Sequence, residues 1–251
     1  MEVHHPHHIT HKKQWKEYLI EFIMLFTAVT LGFFAENYRE RVIESHKEKE
    51  YMQTMIVDLK EDIDRIQNSI ETTSIKVRAM DSLIRNIYAK PYTDSSIRTL
   101  YYLYRRYMGS ATDVSFSRRT INQLINSGNL RLIRNMAISD SIVNYDINTD
   151  RIVRQYSVFH DQYQQKAREL SNQIFDSYYL IDYDRRTVQG LLKTRNKLQL
   201  LNNDEKLLKE YANIVYGGKG VLTIYVQILE RHKLIAKNIM QQLSKEYSIQ
   251  L

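Results

Sequence analysis

MQTMIVDLKEDIDRIQNSIETTSIKVRAMDSLIRNI, residues 52–87, steps its apolar positions by four and three without a break. Met52, Ile56, Leu59, Ile63, Ile66, Ile70, Thr73, Val77, Met80, Ile84 and Ile87 form the seam of a supercoiling helix, with Thr73 as its polar lapse. Neither proline nor glycine interrupts Glu36 to Lys90. The spacing therefore predicts one helix of about 55 residues, roughly 80 Å long, that ends before Pro91.

Two further seams follow. One runs Ile138, Ile142, Tyr145, Thr149, Ile152, Tyr156, Phe159, Tyr163, Lys166, Leu170 and Ile174; the other runs Leu222, Tyr225, Leu229, His232, Ala236, Ile239 and Leu243. Shorter helices fit between them: Asp94 to Met108 with Asp94 or Ser95 as N-cap, Ser117 to Asn126 closed by Gly128, and Asp204 to Tyr216 ended by Gly217 and Gly218. Two prolines and seven glycines in 251 residues leave few breaks. The expected fold is all-α, an elongated up-and-down helical bundle with coiled-coil-like packing. The absence of cysteine removes disulfides, zinc-thiolate sites and a thiol nucleophile.

Working back toward the N-terminus, Tyr18 to Ala35 (YLIEFIMLFTAVTLGFFA) carries a single formal charge, Glu21. As a helix it covers roughly 27 Å, close to the ~30 Å hydrocarbon layer of a bilayer. Trp15, Tyr18 and Tyr38 stand at its ends, with Lys12, Lys13 and Lys16 before it. A secretory signal peptide cleaved after Ala35 would need a small residue at position 33, which is Phe33. A buried core helix would have to be built on the shorter uncharged stretch Phe22 to Ala35. A transmembrane anchor is the preferred reading of the three.

The division is then a His/Lys-rich cytoplasmic tail (1–17), a transmembrane helix (18–35) and an extracytoplasmic bundle (36–251) with long helices at about 36–90, 136–180 and 219–247. Arg39, Arg41, Lys47 and Lys49 follow the anchor, so Lys/Arg counts alone do not orient it. A short basic tail ahead of an anchor usually stays in the cytoplasm, and the main domain is placed in the periplasm on that ground.

The start MEVHHPHH, the segment KEYLIEFIMLFTAVTLGFFAENYRE, the following KEKEYMQTMIVDLKEDI and the mid-chain FSRRTINQLINSGNLRLIRN together resemble a family of uncharacterised bacterial single-pass inner-membrane proteins. These motifs mark about the first 135 residues. The resemblance implies a helical extracytoplasmic region and carries neither an activity nor functional residues.

Several groups could bear chemistry. His4, His5, His7, His8 and His11 could ligate Zn²⁺, Cu²⁺ or Ni²⁺, although the tail offers no cysteine or ordered support to fix them. Glu21 shares a heptad-related face with Ala28 and Ala35, and Gly32 lies between. Small residues there would let a second helix approach, so the face reads as a pairing surface. Arg98, Arg105, Arg106, Arg118, Arg119, Arg131 and Arg134 form a basic patch interleaved with tyrosines. Such a patch can grip phosphates, but the extracytoplasmic address speaks against nucleic acid. The plainer expectation pairs these arginines with Glu61, Asp62 and Asp64.

Gly217, Gly218, Lys219 and Gly220 lack the spacing of a phosphate loop and read as a turn between helices. No Glu-x-x-His pair supports a di-metal bundle site, and His232 at a seam position reads as a core histidine. No catalytic residue and no cofactor is expected. The leading expectation is a membrane-anchored interaction or scaffolding protein whose partners are the lipid bilayer and a second copy or another membrane protein. The alternative is a ligand-sensing bundle coupled to the membrane helix. With only a 17-residue tail for the cytoplasm, a conventional sensor kinase or chemoreceptor is not expected.

Overall fold

The computed structural model describes residues 14–184 and 186–251, and the chain is all-α. Six α-helices account for most of it: α1 (Trp15–Tyr88), α2 (Asp94–Leu103), α3 (Arg119–Asn126), α4 (Met136–Phe159), α5 (Gln165–Ile174) and α6 (Glu205–Tyr247). π-helical turns at Tyr104–Met108 and His160–Gln164 extend α2 and join α4 to α5. Short 3₁₀ turns at Ser177–Leu180 and Val188–Leu192 lie in the long connection before α6. Among the described residues there is no strand, only an isolated antiparallel bridge between Phe175 and Leu200.

The chain separates into residues 1–50 and residues 51–251. Within the first unit, α1 leaves its large apolar side chains from Trp15 to Tyr38 exposed. One 18-residue window is long and apolar enough to cross a membrane, and none of it is buried.

The second unit has two hydrophobic clusters. In one, Met52 to Leu59 of α1 meet Ile121 and Leu124 of α3, Ile138 to Tyr145 of α4, and Ala236 to Leu243 of α6. In the other, Ile66 to Ile87 of α1 meet Leu100 to Leu103 of α2, Ile152 and Phe159 of α4, Ile174 of α5, and Leu208 to Leu229 of α6. The pairing fixes the order of the legs. The second half of α1 runs one way, residues 94–126 return, α4 and α5 run with α1, and α6 returns antiparallel to both.

The second leg is where sequence and structure part. Between Met108 and α3 the chain is neither helical nor paired in a sheet, so its backbone polar groups need other partners. Polar residues of α1, close to one per turn, provide them. Lys76 Nζ donates to Ser110 O (2.6 Å), Ser69 Oγ to Thr112 O, and Arg65 Nη1 to Ser115 O (3.1 Å). Asp62 Oδ1 accepts from Ser117 N (2.6 Å), and Asp58 Oδ2 from Thr120 N (2.9 Å). The most buried line of α1 is accordingly Met52, Met55, Leu59, Asp62, Ile66, Ser69, Thr73, Lys76, Met80, Leu83 and Ile87, all at most 4% exposed. Ile63, Val77 and Ile84 of the expected seam lie only half-buried beside it.

Three helix boundaries differ from expectation. α6 is continuous through Gly217, Gly218 and Gly220, so the turn between two helices there, and the start of the last long helix at 219, are corrected. A Cβ on Gly217 would overlap Tyr163 Cε1, and one on Gly218 would stand 3.1 Å from Tyr163 Cβ and 3.2 Å from Phe159. These glycines serve close packing of α6 against α4 and the π turn. The middle long helix ends at Ile174 rather than near 180. Thr93, not Asp94 or Ser95, caps α2, through a capping box with Ser96. α3 closes with Gly128 in the left-handed region at φ 68°, as its sequence predicts.

Candidate functional site

The densest polar cluster lies where α1, α3, α4 and α6 meet. Asp62 is 1% exposed; its Oδ1 takes the Ser117 amide and its Oδ2 the Tyr145 hydroxyl at 2.9 Å. Burial pushes this carboxyl up to about 6 against the pull of those two hydrogen bonds. Asp58, one turn earlier, accepts from the Thr120 amide and hydroxyl (2.9 and 2.6 Å) and pairs with Arg119 (2.5 Å). It supplies from another helix the cap that α3 lacks from its own sequence, since Arg118 at the N-cap makes no side-chain cap bond. Arg118 instead forks onto Asp146 (2.6 Å) and Asp150 (2.8 Å) of α4.

His232 closes the cluster on the α6 side. Its ring stacks on Tyr145 (4.1 Å between centroids, 10° between planes) and meets Phe116 edge-on at 5.5 Å. Thr149 Oγ1 donates to Tyr145 O (3.1 Å), so its lone pairs face His232 Nε2 at 3.0 Å. That arrangement calls for the neutral tautomer protonated on Nε2 and leaves Nδ1 buried without a partner. Burial lowers the imidazole to about 4. The core reading of His232 therefore stands: its hydrogen-bond partner, the Thr149 hydroxyl, is itself buried and spent on the Tyr145 carbonyl. The void among these side chains is about 10 Å³, at or below the roughly 10–15 Å³ that one water needs. The cluster is a packed polar core that clamps the second leg to α1, with no room for a substrate.

The basic residues do not converge. Arg98 donates to Thr194 O (2.8 Å) and Arg105 to Tyr183 O (3.0 Å), both fastening α2 to the long connection before α6. Arg106 lies over the Tyr107 ring at 5.7 Å. Arg118 and Arg119 serve α3 as described, and Arg131 and Arg134 have interactions of their own. Asp62, expected opposite an arginine, is occupied by an amide and a phenol, because the neighbouring non-helical backbone has the first claim on it. Glu61 pairs with Arg65 on its own helix (3.1 Å), which is not a residue of the basic patch.

His4, His5, His7, His8 and His11 lie outside the described residues. Among the described residues no group of three or more His, Asp or Glu is placed to hold a metal. His160 is exposed on the π turn and bonded to Asp161 (2.8 Å). On the apolar part of α1, Ala28, Gly32 and Ala35 are exposed, and a Cβ added at Gly32 would meet nothing within 4 Å. Glu21 is exposed on the same segment. Lys219, once a candidate phosphate-loop lysine, reaches Asp81 of α1 at 2.7 Å.

Sequence reading missed Asp58, Asp62, Ser69 and Lys76 as the residues that hold the second leg. The signal was available as polar residues at intervals of four, seven and seven along one side of an otherwise apolar seam. Comparison with protein-family models, with curated proteins and with solved structures finds no match.

Proposed function

We propose that this chain is a single-pass protein of the bacterial inner membrane that acts as an anchored interaction or scaffolding protein. Its N-terminus lies in the cytoplasm and residues 36–251 in the periplasm. The observation that carries the reading is the apolar window of α1, of which none is buried by the rest of the chain. Such a surface is stable only when lipid or another span covers it. Trp15, Tyr18 and Tyr38 at its ends suit the headgroup region, and the likeness to a family of single-pass bacterial proteins agrees. Ala28, Gly32 and Ala35, with Glu21 in register, supply the face through which a second copy or another membrane protein would pair.

A non-catalytic role is supported by how the buried polar groups are spent. Asp58, Asp62, Ser69 and Lys76 all hold the chain's own backbone. The protein should resist alkaline carbonate extraction, and protease added to spheroplasts should digest the region beyond residue 36. Mild-detergent purification followed by mass spectrometry should recover a fixed membrane partner or a homo-oligomer. A soluble full-length chain would overturn the anchor. Protection of the main domain from protease would reverse the topology, and a purified monomer without companions would remove the scaffold role.

A further inference from the structure

The connection from α5 to α6, residues 175–204, carries only 3₁₀ turns. A stretch so long with so little regular structure is uncommon in a compact domain, and is kept either for function or as disordered chain. This one is fastened. Tyr101 Oη donates to Gln199 O (2.7 Å) and accepts from Asp176 N (2.8 Å), while Arg98 and Arg105 hold Thr194 O and Tyr183 O.

The fastened segment borders an open hollow of about 250 Å³, whose wall is more polar than apolar. Tyr178, Tyr179, Asp182, Tyr183, Thr194 and Asn196 line it. The rings are set in advance: Tyr179 stands edge-on to Tyr101 (5.8 Å) and to Tyr178 (6.1 Å), and Tyr183 lies so close to Gly190 that an added Cβ would come within 3.0 Å of it. Tyr178 nevertheless leaves 73% of its surface open. Asp182 and Asn196 are exposed at the hollow, and no hydrogen bond or ion pair joins either side chain to another described residue. Thr194 Oγ1 accepts from Asn196 N (3.2 Å), which ties those two residues into one turn.

The chemistry of the wall selects among ligands. Pockets for drug-sized molecules begin at roughly 300 Å³, so this hollow suits a single ring. An anion would meet the Asp182 carboxylate and no cation among the described residues that line the space. A cation would approach through Arg186, Lys193, Arg195 and Lys197, all exposed along the same segment. An apolar ring would set carbon against a carboxylate and a carboxamide. A sugar ring avoids all three conflicts, because its C–H face lies on the electron-rich face of a tyrosine while its hydroxyls reach outward. The Asp182 carboxylate can accept from those hydroxyls, and the Asn196 carboxamide can both accept and donate.

We propose that this hollow binds one pyranose ring of an uncharged sugar, stacked on Tyr178 and held through its hydroxyls by Asp182 and Asn196. Arg98 and Arg105 act as positioning residues, since they fix the backbone on either side of the hollow. The site needs neither the anchor nor a membrane partner, so its failure would leave the proposed anchored role untouched.

The test uses the full chain in a polyoxyethylene detergent, whose headgroup is neither a sugar nor an ammonium, and reads saturation-transfer NMR into the millimolar range. The probes are glucose, galactose and N-acetylglucosamine, each as reducing sugar and as methyl β-glycoside, with tetramethylammonium as the competing chemistry. Transfer to the ring C–H protons of at least one sugar is expected. Binding of its methyl glycoside assigns the site to glycan chain ends, and binding of the reducing form alone assigns it to free sugar; either supports the proposal. Tyr178→Ala and Asp182→Ala should each weaken that sugar roughly tenfold, and Tyr178→Phe should stay within about twofold of wild type. Because both residues are exposed, all three variants should keep the wild-type thermal midpoint. No transfer to any sugar, or wild-type binding by both alanine variants, would overturn the site. Stronger transfer to tetramethylammonium than to every sugar would overturn it too, and would mark the tyrosines and Asp182 as an ammonium cage.

Discussion

Asp62 and His232 titrate in opposite senses within one buried cluster. Asp62, raised from 3.8 to about 6, is protonated in the folded chain over a range where the unfolded chain is ionised, so its contribution to stability rises as pH falls through that window. His232, lowered from 6.5 to about 4, stays neutral in the folded chain while the unfolded chain takes up a proton, so its contribution falls over nearly the same range. Each effect amounts to about 3 kcal/mol across the window, and together they nearly cancel. Asp62→Asn keeps an acceptor for the Ser117 amide and should unmask His232: denaturation midpoints of this variant should drop relative to wild type between about pH 7 and about pH 4.5. His232→Gln should move the other way. Profiles parallel to wild type in both variants would show that neither group titrates as its burial requires. The glycines of α6 make a second test at this scale. Gly217 meets the Tyr163 ring, whereas a Cβ on Gly220 would meet nothing within 4 Å. Gly220→Ala should stabilise by about 1 kcal/mol through helix propensity, and Gly217→Ala should lie roughly 1–3 kcal/mol below it, since the overpacked ring must move. Thermal unfolding of the pair decides the matter, and equal midpoints would remove the close-packing role.

The helices show how far an apolar pattern carries. Every residue of the expected seam from Leu222 to Leu243 is buried. The same alternation of three and four extends back through Gly218, Val215, Tyr211 and Leu208, also buried, so the continuity of α6 was readable had the heptad outweighed the glycine pair. The expected seam of α4 is buried as far as Phe159 except for half-buried Tyr156, and buried again at Ile174. Beyond Phe159 the π turn resets the phase, and the polar lapse at Lys166 was the visible sign. In α1 the expected line followed the isoleucines, but the deeper line also carries Asp62, Ser69 and Lys76. Apolarity alone cannot find these, because their burial is compensated by a distant backbone. The dependence of α3 on α1 can be measured. This helix has only eight residues and takes its cap from Asp58, too short to persist unaided. Asp58→Ala should cost about 2 kcal/mol or more. In hydrogen exchange the Thr120 amide should lose protection while α6 keeps its own. Unchanged protection at Thr120 would show that α3 is held by its apolar face alone.

For the molecule as a whole, helical content and the alternating order of legs were legible, because few glycines and prolines and three seams leave little else. The gap left between the helices expected at 94–108 and 117–126 is indeed non-helical, but its docking on α1 was not legible, since its partners there lie 34 to 55 positions away. The proposed anchored role rests on residues 18–35, which no other part of the described chain buries. Residues 18–35 end in aromatic flanks, and the small-residue face of Ala28, Gly32 and Ala35 has no neighbour at Gly32 from its own chain. A larger side chain at Gly32 therefore disturbs nothing within a single molecule, and any effect on association reports an outside helix. Gly32→Leu should weaken pairing of the segment in a bilayer dimerisation assay, because a branched side chain keeps the two backbones apart. Phe33→Leu, on a different face and of similar apolarity, should leave pairing near the wild-type level. If both substitutions are silent, the small-residue face meets only lipid, and an interaction role would have to rest on residues 51–251. If both weaken pairing equally, the effect follows general apolarity, and the specific approach at Gly32 is excluded.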